Sequence, residues 1–345
     1  MRSWRIWAGI VISAVFLYAA LRGLALGEVW SFVVAANYLW LLPGIAIYFV
    51  GVYVRAWRWH FLLRPVKRLP TRSLWAVLTI GYMGNNIFPA RAGEILRAVI
   101  LKDRSQVSVS ASLATIIVER VFDGVIMLAF IFLNLSTLSG LPPDSTFAVT
   151  MQRIAVWGSA AFFGALLIFL LAAMFPRVSE RATGWMIDHL LPDRWRERVH
   201  SLTLRFLEGL KSLRSPLDVL LLFTLSALVW LLETCKYWFV MQAFPFEVSF
   251  ATLMMMNGTV NLVASIPSAP RYIGTFDAPG IALLSAYGVP GEIAAGYTLV
   301  LHAALWLPIT LLGAYYYIRQ PLRWGGRELK GMATANAAAG KENPG

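Results

Sequence analysis

Two polar clusters interrupt otherwise apolar sequence, and their residue types suit the holding of an anion. The first, GYMGNNIFPARAGEILR from Gly81 to Arg97, carries Asn85, Asn86, Arg91, Glu94 and Arg97. Guanidinium groups grip phosphate or carboxylate oxygens in pairs, and amides add further donors. A helix beginning near Arg91 would add free backbone N–H groups and the positive end of its dipole. A lipid phosphate is the anion this chemistry suits. The competing reading pairs Arg91 and Arg97 with Glu94 and with carboxylates further along the chain. The second cluster, Asn257, Gly258, Asn261, Pro267, Pro270, Arg271, Gly274 and Asp277, lies between Ser249 and Gly288.

Between them, in ATIIVERVFDGVIML, Glu119 and Asp123 stand four apart with Arg120 one position round. On a helix the two carboxylates share a face. Three roles remain open for them: counter-charges to the arginines, a proton-coupling carboxylate, or half of a metal site. The last lacks a third ligand at suitable spacing. Glu233 and Lys236, three apart, can satisfy one another. Arg55 and Arg58, interleaved with Trp57 and Trp59, read as interfacial side chains snorkelling beside an aromatic belt. His60 and His302 read as packing or interface residues.

The elements that must position these groups are transmembrane helices. The 345 residues are 58% hydrophobic and only 14% charged, far from soluble composition. Apolar stretches of spanning length run from Ile6 to Leu21, Tyr38 to Leu63, Ala111 to Leu133, Ile154 to Phe175, Leu217 to Ala243 and Ile293 to Ile318. The expectation is an all-α polytopic membrane protein with about six spanning helices. The two polar clusters fall between spans as re-entrant broken-helix hairpins, with Gly81, Gly84, Pro89 and Gly93 interrupting the first. Irregular backbone at such depth is tolerated only where protein or water surrounds it.

The net charge of +12 is spread in short basic runs beside apolar segments, a pattern that orients membrane proteins rather than binds nucleic acid. Arg2 and Arg5, the Arg64 to Arg72 run, Lys102 and Arg104, the Arg177 to Arg214 segment and the tail from Arg319 all fall on one side. Both termini are then cytoplasmic in an inner, plasma membrane. Each half has three spans, an odd number, so the second half is inverted relative to the first. The expected division is 1–135, the first half with its hairpin at 73–101; 136–175, an outer loop and the fourth span; 176–216, a cytoplasmic amphipathic connector; 217–320, with a hairpin at 249–288; and 321–345, a disordered tail. Cys235, the single cysteine, excludes a disulfide framework.

Arg58-Trp59, GNNIFPARAGEILR, Glu119-Arg120 with Asp123, and IPSAP with GTFD from Ile266 to Asp277 together resemble the transmembrane region of the lysylphosphatidylglycerol synthase and flippase family. The resemblance covers nearly the whole chain to about Gln320. It implies a lipid-handling membrane protein with Arg91, Glu94, Arg97, Glu119, Arg120 and Asp123 at family motif positions. Two departures stand out: Pro270-Arg271, where the family commonly has glycine after the proline, and Asp277 where it often has glutamate. The soluble aminoacyl-transfer domain of the synthases is missing, so lipid aminoacylation by this chain alone is not expected.

The function expected is translocation of an anionic or polar-headed lipid through a cationic cavity between the hairpins. No cofactor or metal is called for, and no nucleotide-binding loop is present. The alternatives are a membrane-embedded enzyme acting on polyprenyl-phosphate or phospholipid, and a lipid-binding accessory subunit of a separate enzyme.

Overall fold

The computed structural model describes residues 11, 14–18, 20–88, 91–135, 146–190, 192–264 and 272–319. Most of the expected first span, the connection at 136–145, the tail at 321–345, and Pro89, Pro267, Pro270 and Arg271 lie outside the described residues.

The described chain is all-α. A short helix α1, Leu26–Ala35, precedes a 3₁₀ turn and α2, Leu41–Leu63. Helices α3, Thr71–Ile87, and α4, Ala92–Ser105, fold back on one another as a hairpin, and α5, Val109–Leu133, follows. Then come α6, Thr146–Met174, α7, Pro176–Leu190, and α8, Asp193–Gly209. The remainder is α9, Pro216–Met241, a second hairpin of α10, Phe250–Val263, and α11, Asp277–Ala286, and finally α12, Gly291–Arg319.

Four segments are long and apolar enough to cross a membrane: Tyr38–Leu63, Val156–Met174, Pro216–Met241 and Gly291–Arg319. This is an integral membrane protein. Helix α5 has a comparable length, about 37 Å at 1.5 Å per residue, but carries Glu119, Arg120 and Asp123. It tolerates them because its charged face is turned inward, with Glu119 and Asp123 each only 2% exposed. Helix α6 is the opposite case. Val156, Trp157, Phe163, Leu167 and Ile168 point away from the protein, as a hydrocarbon-facing surface would.

The packing is built on α2 lying along α9. Around this pair, α3 packs on α12 and α10 packs on α5, so each hairpin leans on the helix that follows the other. Small residues permit these approaches. A Cβ on Gly313 of α12 would come within 2.6 Å of Met83 Cβ on α3, and one on Gly258 of α10 within 2.7 Å of the Met127 carbonyl on α5. Amides tie α3 to α12 and α10 to α9. Asn86 donates to Thr310 Oγ1 at 2.7 Å, and Asn257 donates to Thr234 Oγ1 at 3.0 Å.

One expectation needs correction. Gly81 and Gly84 do not break the first hairpin, since α3 runs helically through both, and Gly93 lies inside α4. Their task is contact: a Cβ on Gly84 would sit 2.9 Å from Gly93 Cα, so the two limbs touch backbone to backbone. The change of direction falls beyond Phe88, at Arg91, whose φ is +53°. The 176–216 connector forms two helices, α7 and α8, and α8 docks on α5, with Phe206, Leu207, Leu210 and Leu213 joining the core around α3 to α5 while Trp195 and Leu202 stay exposed.

Candidate functional site

Apolar packing forms two main bodies. One gathers Trp59, Leu74, Ile80 and Phe122 around the first hairpin, the other Met255, Leu284, Tyr297 and Leu301 around the second. Between the hairpins lies a polar cavity of about 150 Å³. Its walls are Tyr48 and Arg55 of α2, Tyr82, Asn85 and Asn86 of α3, Arg91, Glu94 of α4, Arg120 of α5, Trp230 and Glu233 of α9, Asn261 of α10, Tyr272, Phe276, and His302 with Trp306 of α12.

Behind this lining stands an ion-pair network. Arg58 grips Asp123 with both terminal nitrogens, at 2.6 and 3.3 Å, and also donates to Ser226 Oγ at 2.6 Å. Trp230 Nε1 donates to the same carboxylate at 3.0 Å. Arg97 pairs with Glu119 at 3.1 Å and lies 4.0 Å above the Trp59 ring, whose indole N–H is held by Thr115. Arg120 reaches Glu94 at 3.4 Å and Asp123 at 3.4 Å, joining the two subclusters. On the other wall Arg55 pairs with Glu233 at 3.2 Å, and Glu233 is also held by Lys236.

The balance of charge is positive. Arg55, Arg58, Arg91, Arg97, Arg120 and Lys236 face Glu94, Glu119, Asp123 and Glu233. A fifth carboxylate, Asp277, accepts from the Gly274 amide at 2.8 Å and meets His302 Nδ1 at 2.8 Å. Arg91 is the least committed cation. It touches Glu94 only at 3.7 Å, donates to the Ala264 carbonyl at 3.3 Å, and stands 5.6 Å over the Tyr272 ring. The Arg91 Nε and the Asn85 side-chain oxygen are buried without a hydrogen-bond partner among the described residues. Buried charge left part-satisfied in a low dielectric strongly favours an incoming group of opposite sign.

Arg91 also opens α4, so the first amides of that helix and its positive dipole end lie beside the guanidinium. The arrangement can hold an anion by charge-assisted hydrogen bonds while amides and phenols meet neutral polar groups around it.

Over residues 6–313 the sequence matches the family described as the lysylphosphatidylglycerol synthase TM region. The chain belongs to that family. Among its relatives, a UPF0104 membrane protein of Methanothermobacter thermautotrophicus is 26% identical over 308 residues, covering 84% of this chain and 88% of the relative. A UPF0104 membrane protein of Methanocaldococcus jannaschii is 23% identical over 236 residues, 68% of this chain and 92% of its own. The glycosyltransferase AglD of Haloferax volcanii is 22% identical over 89% of this chain, which spans 53% of that protein. No solved structure matches significantly.

Of the residues singled out from sequence, the structure gathers Asn85, Asn86, Arg91, Glu94, Arg120 and Asn261 into the cavity wall. Arg97, Glu119 and Asp123 stand behind it as paired supports, and Asp277 touches it through His302. Gly274, with φ at +80°, supplies an amide to Asp277 rather than a surface to the cavity. Two readings are corrected. Arg55 and Arg58 are 8% and 1% exposed and anchor both ion-pair clusters, so they do not snorkel. His302 is a lining residue bound to Asp277, not mere packing. The overlooked signal was charge balance: an isolated pair at Glu233 and Lys236 needs no third partner, yet Arg55 and Arg58 required carboxylates somewhere.

Proposed function

We propose that this protein binds the polar head of an anionic membrane lipid in the cavity between the two hairpins and carries it across the bilayer. The observation behind this reading is the cation excess around the cavity, with Arg91 loosely held at its edge. Apolar helices surround the site, so tails can stay in hydrocarbon while the head finds protein donors.

The helix arrangement supports the finer picture. Helices α2, α3, α4 and α5 correspond to α9, α10, α11 and α12, and the contacts among these eight helices come in matching pairs, such as α3 with α12 and α10 with α5. An inverted repeat of two re-entrant hairpins, within about six spans and with cytoplasmic termini in the plasma membrane, accounts for this pattern. The cavity lining offers guanidinium, carboxylate, imidazole, amide and phenol groups and, among the described residues, no serine, threonine or cysteine nucleophile. Those groups suit holding and passing on a polar head. The glycosyltransferase relative favours a second reading, in which the region presents a lipid to an attached or separate enzyme.

Native mass spectrometry of the purified protein and of Arg91→Ala tests the head-group site. A defined anionic lipid class is expected on the wild type and is expected to be at least about tenfold depleted on the variant, as loss of a charge-assisted contact predicts. Unselective lipid, equal in both, would refute it. Reconstitution into vesicles then separates the two readings: head-group exchange between leaflets by the chain alone supports transport, and binding without exchange supports presentation.

A further inference from the structure

A second space, apolar and larger, lies beside the polar cavity. It is a groove of about 530 Å³ between α1, the start of α2 and the middle of α12. Leu26 and Trp30 form one rim, Leu41 and Ile45 another, and Ala303 and Leu307 the third. Its one side-chain hydroxyl, on Tyr38, already donates to the Val33 carbonyl at 2.7 Å, and the Trp30 indole N–H is the sole other polar side-chain group on a lining that is otherwise apolar.

The groove and the cavity share two helices. Along α2 the residues Leu41, Ile45, Tyr48, Val52 and Arg55 recur at helical spacing and form one stripe. Its first two members line the groove, while Tyr48 and Arg55 line the cavity. On α12 Ala304 and Pro308 face the groove, whereas the adjacent Leu305 and Ile309 face the cavity and pack in the Tyr48 cluster. The partition between the two spaces is therefore a single layer of side chains. Alanines at 303 and 304, where larger residues stand at 299, 300 and 307, keep the groove open.

We infer that this groove holds a hydrocarbon chain of the same lipid whose head occupies the polar cavity. The inference rests on the head-group reading above and assigns the tail a fixed place: the chain enters past Ile45 and Ala303, and the head passes the Tyr48 and Leu305 layer. Selectivity would then depend on tail as well as head.

The test uses the full chain in nanodiscs of equal parts phosphatidylcholine and phosphatidylglycerol, with the photo-crosslinking residue p-benzoylphenylalanine in place of Trp30, an exposed rim residue of similar size. The same residue at Leu167, on the outward face of α6, reports ordinary surrounding lipid. Adduct with phosphatidylglycerol at Trp30 is expected to exceed that at Leu167 by about tenfold, because a bound head holds its tail at the groove at a raised effective concentration. It is expected to fall to the Leu167 level when Arg91→Ala is added. Ala303→Trp, at an exposed position, should fill the groove and deplete bound lipid while Arg91 is intact. Equal adduct at both positions, or adduct at Trp30 that ignores Arg91→Ala, would mean surrounding lipid only and overturn the inference. If Arg91→Ala depletes lipid in native mass spectrometry but leaves the adduct unchanged, the groove assignment falls alone. If Arg91→Ala changes neither, the head-group reading falls with it.

Discussion

The two hairpins share a shape and differ in chemistry. In the first, α3 and α4 meet backbone to backbone and the charged groups Arg91, Glu94 and Arg97 look toward α5 and the cavity. In the second, α10 and α11 meet through side chains, and the polar groups are amides, with Asn261 donating to the Asn257 side chain at 2.8 Å. Asp277, the second hairpin's carboxylate, is taken up by His302 and the Gly274 amide. Among the described residues, one hairpin thus lines the cavity with charged groups and the other with amides and aromatic rings. A repeated scaffold needs only one charged copy to make a cationic cavity, and further cations in the other would add like-charge repulsion.

The sharpest way to break this contrast is to remove one buried polar group that stands behind each wall. Asp123→Ala leaves Arg58 and Arg120 without their shared carboxylate at a buried site. It should cost about 3–5 kcal/mol, as loss of one partner in a buried pair does. Asn257→Ala removes neutral hydrogen bonds to Thr234 and the Trp230 carbonyl and should cost about 1–2 kcal/mol. Thermal unfolding of both variants in detergent measures the difference. Equal losses would mean that the charged wall is no more tightly coupled than the amide wall.

The closeness of the limbs gives a second contrast. A Cβ on Gly93 would meet the Gly81 carbonyl and the Asn85 amide, both backbone, whereas one on Gly280 of α11 would meet the Met256 methyl at 2.8 Å and the Thr298 methyl at 3.0 Å. Methionine can move aside and a helix backbone cannot. Gly93→Ala should therefore cost about 3 kcal/mol, the upper end of overpacking, and Gly280→Ala less than about 1 kcal/mol. Comparable yields and melting temperatures for both would show that the first hairpin can part without penalty.

Much of this was legible in the sequence, and the parts that were not have identifiable causes. The interrupted stretches, the residues that line the cavity from α3 and α4, and the inward face of Glu119 and Asp123 follow from local pattern, because polar groups inside apolar runs must be turned from lipid. Arg58 and Arg55 were misassigned because their partners are remote. Asp123 lies 65 residues away and Glu233 lies 178 away, so neither pair can be seen in a window of helical spacing. The tryptophans between them strengthened the interfacial reading, yet Trp59 is fully buried under Arg97. The glycines misled for another reason. Glycine serves both to end a helix and to let two helices touch, and only the partner helix decides which.

The smallest expected effect concerns the place where the hairpins meet. Arg91 and Tyr272 lie in the two hairpin turns, both have positive φ, at +53° and +58°, and the guanidinium stands over the phenol ring. A non-glycine residue in that region costs about 1–2 kcal/mol against the right-handed conformation. Tyr272→Gly removes that cost and also the ring contact, worth about 0.5–1 kcal/mol, so net stability should change by less than about 1 kcal/mol. Tyr272→Ala keeps the strained φ and loses the ring, and should be less stable than the glycine variant by about 1 kcal/mol. A gap of that size in melting experiments would show that the strained backbone is retained for the sake of the ring. Equal stability of the two variants would mean that the turn relaxes once the ring is gone, and that the Arg91 contact itself holds the second hairpin in its left-handed conformation.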